Sequence, residues 1–526
     1  MIEDIALDLS PEIAFTPAKL KKKISESKGL RVDELHSYRI LRRSIDARKK
    51  NIKVNLRIRI AYGKDKEIPI ESKTKIYKEL APNAPKMIIV GAGPAGLFAA
   101  LKCIELGIKP IIIERGKPVE ERRKDIADLS KNNYINPDSN YCFGEGGAGA
   151  FSDGKLYTRS KKRGDNREVL ELLHQFGASS DILIDSHPHI GSDKLPEIIK
   201  NIREAIIEKG GEIHFNERMT DVYIDNNEAT GIVTDKGNHY HGSVMLATGH
   251  SARDIYRLLK ERNIGIESKG LAIGVRLEHP QQLIDQLQYH SKEGRGHFLP
   301  PAEYSFVTQV DNRGVYSFCM CPGGVIVPAM SEPDQCVVNG MSASARSGKW
   351  ANSGMVVEIH PGDISGYENE GPLEMMKLQE DLERKFYNDS CSYNIPAQRM
   401  KDFVEGENTA ELPPTSYPNG IHPSRIDKLF PKEISDRLRE GFIHFDRKCN
   451  GFLTNDAVIM GLESRTSSPV RIPRNQENAA HIEIKNLYPV GEGAGYAGGI
   501  VSSAIDGMRS VEKFYNSLQN QNGIDS

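Results

Sequence analysis

Charge of one sign is nearly missing as a surplus: 70 Lys and Arg stand against 72 Asp and Glu in 526 residues. Whole-chain charge therefore points to neither a nucleic acid nor a membrane partner. Cysteine is sparse, and an odd seven in so long a chain do not make a disulfide framework. No apolar run reaches bilayer length. The uncharged and largely apolar stretch Met87 to Leu101 falls short of the roughly 18 to 20 residues a membrane needs, and glycines and a proline interrupt it. The first residues, MIEDIALDLS, are acidic where a secretory signal would be basic and then apolar, so a cytoplasmic protein is expected. Neither G-x-S-x-G nor H-E-x-x-H occurs, and no metal site is expected. With 38% hydrophobic residues the chain is too apolar for disorder, and its length suggests about three domains at roughly 150 residues each.

What charge there is lies unevenly. Residues 1–80 hold 20 Lys and Arg against 12 Asp and Glu, and the remainder is correspondingly acidic. The Pro-punctuated run Ala81 to Pro85 then marks a boundary. Within residues 1–80, Pro17–Ser27 reads as a helix, and Tyr38–Ile45 and Val54–Ala61 read as half-exposed strands. This predicts a small basic α+β domain. Its surplus either binds RNA or an acidic partner, or forms a solvated face or a surface docked on the acidic remainder; the second pair is the preferred reading. From Met87 the pattern becomes buried strand, glycine turn and apolar helix. Strands follow at 109–113, 212–215, 221–224, 230–234 and 243–247, and helices at 194–209 and 253–262, the alternation of an α/β sheet. Residues 268–445 are turn-rich and strand-like with one charged helix, 373–386. Strand 487–490 and helix 500–517 then return. The order predicts a Rossmann-like domain in two parts, 84–267 and 446–526, interrupted by an inserted α+β cap over 268–445.

The strongest motif is MIIVGAGPAGLFAALKCIELGIKPIIIERG, Met87 to Gly116. Gly91, Gly93 and Gly96 form G-x-G-x-x-G directly after an apolar strand. Gly91 serves the tight turn, Gly93 lets a pyrophosphate approach the backbone, and Gly96 lets helix and strand pack closely. The helix opened by Pro94 and Ala95 aims its amides at the anion. Glu114, followed by Arg115, ends the second strand, where a carboxylate accepts from ribose hydroxyls. The same spacing recurs at Gly144, Gly146 and Gly149 without a preceding strand. It recurs again at Gly493, Gly495 and Gly498 without a following strand and acid. A second dinucleotide module, as many flavin disulfide reductases carry for a nicotinamide cofactor, is therefore not expected, although NAD(P)H stays open as electron donor.

The V-G-A-G-P-A-G-L form with Glu114 resembles FAD-binding proteins of the glutathione-reductase structural superfamily. Val244 to Gly249 is similar to the strand and A-T-G element beside their cofactor, here Ala247, Thr248 and Gly249. Asn486 to Gly493 resembles their last flavin-binding strand, where the acid after Gly491, here Glu492 in place of the usual Asp, meets the ribityl chain. The helix after Gly499, beginning at Ile500, then faces the reduced flavin. A closer resemblance rests on FGEGGAGAFSDGKL (Phe143–Leu156), HPHIGSDKL (His187–Leu195), LATGHSARD (Leu246–Asp254), FCMCPGG (Phe318–Gly324) and ESRTSSPVR (Glu463–Arg471). Together these resemble a bacterial family of FAD-dependent dehydrogenases named by cofactor alone. The resemblance implies FAD, an inserted domain and a small amino-terminal domain, and leaves the substrate open.

Several side chains are candidates for chemistry. The loop with Gly146, Gly147 and Gly149 leaves backbone free to lie against a flat ring, and Lys155 after it places a cation near the flavin pyrimidine; the alternative is a loop shaped only for turns. Arg465 is a candidate receiver for a substrate carboxylate, against a plain ion pair with Glu463. Cys319 and Cys321, two apart on a strand, would close a strained ring and read as free thiols. His187 and His189 read as structural, with Ser192 or Asp193 capping the next helix. The expectation is an FAD-dependent oxidoreductase acting on a small molecule. The alternatives are an RNA-directed flavoprotein using residues 1–80 and a flavin electron carrier to a protein partner.

Overall fold

Four successive apolar residues, Met87 to Val90, are buried on both faces, as a central parallel strand requires. In the computed structural model, which describes residues 1–69, 74–157, 166–390 and 393–524, this strand (Lys86–Val90) lies at the centre of a five-stranded sheet. Its order is Leu487–Pro489, Ser243–Leu246, Lys86–Val90, Lys109–Ile113 and Glu212–His214. Every pairing is parallel. The helix Pro94–Glu105 follows the central strand and is buried over almost its whole length. It is apolar all round because it lies between this sheet and the final helix, Ile500–Ile524. The carboxyl-terminal strand and helix thus return to complete the layer that the first strands begin.

The amino-terminal part forms its own antiparallel sheet, ordered Ile2–Leu9, Lys53–Tyr62, Leu35–Asp46, with the helix Pro17–Ser27 over it. The strand Ile2–Leu9 was not anticipated, although its burial alternates residue by residue. Part of the basic surplus is spent within the chain. Arg43 donates to Asp185 at 2.6 and 2.9 Å and to Asp181 at 3.1 Å, docking this sheet on the acidic remainder, and Arg57 and Arg59 both meet Asp4. The boundary at residue 80 falls late. Lys75 exchanges backbone hydrogen bonds with the Gln175 side chain, and the Leu80 amide donates to Lys209, so residues 75–80 already lie on the nucleotide-binding part.

The inserted region is built on an eight-stranded sheet running from Val307–Val310 to Ile421–Pro423, with Leu271–Pro280 near its middle. One of its central strands is Val458–Glu463, paired antiparallel with both Leu271–Pro280 and Ile395–Arg399. The expected cut at 445/446 is therefore corrected: the cap sheet runs on to Glu463. That strand reads as hydrophobic and could have closed either sheet, so periodicity could not assign it.

Candidate functional site

A cavity of about 500 Å³ lies over the carboxyl ends of the parallel strands and reaches under the cap sheet. Open parallel sheets place their ligands at this position. The turn after the central strand forms one wall. The Gly91 amide donates to Ile113 at 2.8 Å with φ +108°, and a Cβ there would stand 2.5 Å from the Ala247 carbonyl oxygen. A Cβ at Gly96 would lie 1.9 Å from the Gly91 oxygen, so that glycine serves helix–strand contact. Gly93 is different. Its backbone is extended at φ −77°, and a Cβ would meet nothing nearer than Gly147 Cα at 3.9 Å. Chain packing does not demand a glycine at 93, and the position lies open on the cavity wall.

Glu114 lines the same cavity and is almost wholly buried. Its Oε2 accepts from the Ala92 amide at 2.7 Å, and its Oε1 accepts from the amides of Gly116 and Gly144 at 2.9 and 3.0 Å. Three of about four acceptor positions on a carboxylate are thus taken by backbone, and one stays open on Oε2. Arg115 faces the cavity but is held by Asp254 and stacks over Phe143 at 4.4 Å.

Pro94, Ala95, Gly147, Gly149, Ala247, Thr248, Gly249, Glu492, Gly499, Ile500 and Lys155 also line the cavity. Three predicted residues do not. Gly96 packs as described; Gly146 faces Ile199 and Ala150; Gly491 faces the Ala95 methyl and donates its amide to Asp506 at 2.7 Å. The Glu492 carboxyl makes no hydrogen bond or ion pair with a described residue. Burial pushes its pKa up, against His250 and Lys269, which pull it down. His250 Nδ1 is buried on the same wall without a partner among the described residues. The Lys155 ammonium likewise has no described partner. Amides at the start of the helix Ile500–Ile524 lack helical acceptors and border the cavity.

Arg465 lines the cavity but is not free to receive a substrate. Its Nε and Nη2 donate to Glu383 at 3.0 and 3.1 Å, Nη1 to Ser331 and Nη2 also to Gln335. The pair with Glu463 does not form either, because Glu463 lies 3.1 Å from Arg276. Asp193 does not cap the helix after it: its carboxylate accepts from the Ser344 amide and hydroxyl at 2.6 and 2.8 Å. His187 pairs with Glu303, and His189 meets the Ser344 carbonyl.

Arg122 escaped sequence reasoning. It is wholly buried and donates to the carbonyls of Asn140, Tyr141, Gly144, Glu145 and Gly147 at 2.6 to 3.3 Å. It braces the loop whose glycines form the cavity floor, and burial draws its pKa down to about 10. In the sequence it stands in the charged run EERRKD, which reads as a solvated helix face. Among the described residues no cluster of three His, Cys, Asp or Glu side chains is arranged to hold a metal, and no helix is long and apolar enough to cross a membrane.

The donor set fits a dinucleotide with a polyhydroxylated middle: an open glycine edge, an acid with one free acceptor position, and unpaired Glu492 and His250 further along. Comparison with known proteins agrees. Residues 270–466 match the family model described as FAD-dependent protein, C-terminal domain-like, and residues 1–61 match a domain of unknown function. An uncharacterised protein of Clostridium beijerinckii is 40% identical over 534 residues, covering 97% of each chain. Solved structures with partial likeness include the tetracycline destructase Tet(51), 10% identical over 84% of this chain and 83% of its own, with a TM-score of 0.34. A geranylgeranyl bacteriochlorophyll reductase-like protein of Thermoplasma acidophilum is 11% identical over 84% and 80%, also at 0.34. At such scores these likenesses assign nothing to this chain. The chain belongs to one family with the Clostridium protein, matches the FAD-dependent protein, C-terminal domain-like model over residues 270–466, and takes FAD as its cofactor.

Proposed function

We propose that this protein is an FAD-dependent oxidoreductase of glutathione-reductase-like arrangement that acts on a small molecule admitted beneath the cap sheet. The observation that carries the reading is the continuity of one cavity from the Gly93 turn and Glu114 to the cap residues Phe318, Cys319 and Asn339. When bound, FAD supplies acceptance and release of an electron pair. Everything else falls to the chain. The Gly93 edge and the first amides of the helix Pro94–Glu105 hold the pyrophosphate. Glu114 offers its remaining acceptor position to the adenosine ribose, and Glu492 meets the ribityl hydroxyls. The amides that open the last helix and the Lys155 ammonium offset negative charge at the ring end. The cap sheet shields that end from water and shapes the substrate space.

The test is direct. Purified protein should be yellow and release FAD on denaturation, and its flavin should bleach anaerobically with NADH, NADPH or a small hydroxy or unsaturated acid. Release of FMN alone would sink the reading.

A further inference from the structure

The strand Arg313–Pro328 contains a segment of the cavity wall whose chemistry the proposed function leaves unused. It pairs antiparallel with Trp350–Ile359, and its register slips between Phe318 and Cys321: Phe318 faces Gly354, and Cys321 faces Asn352. Three residue steps on one strand thus answer two on the other, which makes a bulge. Within the bulge Cys319 has φ +46°, a left-handed conformation unusual for a residue with a side chain. Bulges re-aim side chains, and strain of this kind collects at functional sites. Here Cys319 lines the cavity beside Phe318 and Gly340, while Cys321 is wholly buried behind it.

The two cysteines stay close across the bulge. The Cys321 thiol donates to the Cys319 carbonyl oxygen at 3.3 Å, and both are free thiols in this structure. Arg276, fully buried and paired with Glu463, donates from Nη2 to the Cys319 carbonyl at 2.7 Å and to Cys321 Sγ at 3.4 Å. It pins the pair from below, while Lys155 approaches from the glycine loop. The adjacent Cys321 thiol, with Lys155 and Arg276, holds the Cys319 thiol below its ordinary range against burial, and the proximity of Cys319 together with burial pushes Cys321 up. A thiolate in front of a protonated thiol is the arrangement that thiol–disulfide chemistry uses. Cys319 and Glu492 line the same cavity, and on the reading above Glu492 marks its ribityl end.

We propose that Cys319 and Cys321 form a redox dithiol that exchanges an electron pair with the bound flavin. The inference rests on the FAD reading above. In the forward direction the Cys319 thiolate and Cys321 thiol are oxidised: the Cys321 S–H bond breaks and one S–S bond forms. The electron pair and the Cys321 proton pass to the flavin, forming its N5–H bond and leaving a reduced flavin with one negative charge opposite Lys155. The negative charge that Cys319 gives up equals the charge the flavin gains. The reverse direction reduces the disulfide. The substrate class this implies is a thiol or disulfide compound small enough to enter beneath the cap.

The experiment uses the full-length holoprotein. After treatment with diamide and removal of the reagent, it is titrated anaerobically with dithionite while flavin absorbance is followed, and alkylation of Cys319 and Cys321 is mapped before and after. Wild type should take up four electrons per FAD, with both thiols protected from alkylation beforehand and labelled afterwards. Cys319→Ser and Cys321→Ser should each take up two. Should the buried Cys321→Ser fail to fold, Cys319→Ser, at the cavity wall, carries the count, and the alkylation map of wild type stands without any variant. Two electrons in wild type with both thiols labelled from the start overturn the dithiol and leave the FAD reading intact. So do four electrons retained in Cys319→Ser. A colourless holoprotein preparation overturns both.

Discussion

Arg465 and Glu383 form a bidentate pair, Nε to Oε1 at 3.0 Å and Nη2 to Oε2 at 3.1 Å, in a place closed to solvent. Arg253 holds the same two oxygens at 2.8 and 2.9 Å. Glu383 lies on the cap helix Glu374–Ser390, Arg253 opens the helix Arg253–Glu261 beside the nucleotide-binding sheet, and Arg465 follows the last cap strand. One carboxylate thus ties the cap to the nucleotide-binding part, at the edge of the cavity that runs between them. The arginine that the sequence offered to a substrate serves this joint.

The joint makes stability depend on acid in a defined direction. Burial pushes the Glu383 pKa up, but Arg253 and Arg465 outweigh it and hold it at about 2 against 4.5. The folded value is depressed, so its contribution is fully present above about pH 4.5 and is lost as pH falls toward 2. By linkage that contribution is about 3 kcal/mol. Glu383→Gln leaves two buried guanidinium groups without their counter-charge and should cost about 3 to 5 kcal/mol at neutral pH. Denaturant unfolding at pH 7 and pH 4 checks this: the gap between wild type and variant should narrow in acid. An equal gap at both pH values would remove Glu383 as the titrating group.

The nucleotide-binding part was legible in the sequence because its signals are local. A four-residue apolar strand, three glycines at fixed offsets and an acid at the end of the next strand all sit within Met87 to Gly116, and Lys109–Ile113 was read to the residue. Arg122, Glu383 and the Cys319 bulge were not legible, because each is defined by a partner far along the chain. Arg122 acquires its role only when residues 140–147 fold back over it. The strand Val458–Glu463 belongs to the cap only through pairing with strands some 60 and 180 residues earlier. Periodicity fixes which face of a strand is apolar and says nothing about which sheet receives it.

The glycines of the turn should separate folding from cofactor binding. Gly96→Ala drives a Cβ to 1.9 Å from the Gly91 oxygen, so backbone must shift at a cost of about 2 kcal/mol or more. Gly93→Ala meets no atom within van der Waals range and keeps an ordinary backbone conformation; its stability should stay within about 0.5 kcal/mol of wild type. It should nonetheless lose FAD affinity by at least about tenfold, since the methyl stands where the pyrophosphate must approach. Thermal unfolding of the apoproteins and FAD titration read the two effects apart. Full FAD affinity in Gly93→Ala would move the pyrophosphate away from this edge.

Glu114→Gln is the conservative test of the second anchor. All three contacts to the carboxylate are backbone donors, from Ala92, Gly116 and Gly144. An amide nitrogen cannot accept, so either orientation of the glutamine strands at least one buried N–H, costing about 1 to 3 kcal/mol. Loss of the open acceptor position should also lower FAD occupancy of the purified protein, and Glu114→Arg should lower it further. Cofactor extraction with a melting curve checks both. A variant that melts early but retains full FAD content would confine Glu114 to bracing the glycine loop.

Lys155 and the last helix are two sources of positive potential at the end of the cavity where the proposed function puts the flavin ring. One is the amino terminus of the helix Ile500–Ile524, whose residues Ile500 to Ser503 border the cavity. Such a helix end contributes about 0.3 to 1 kcal/mol at an exposed site and up to about 2 when partly buried. The other is the Lys155 ammonium, half-buried on the cavity wall with no described ion-pair partner to neutralise it. An oxidised flavin ring is neutral and a reduced one carries negative charge, so a cation there favours the reduced form. Lys155→Met should therefore keep FAD bound while making its midpoint potential more negative. The same substitution removes a charge that holds the Cys319 thiol down, so alkylation of Cys319 should shift to higher pH. Redox titration against a reference dye and a pH series of alkylation rates measure the two consequences separately. An unchanged midpoint in a folded, FAD-loaded variant would assign the stabilisation to the helix alone.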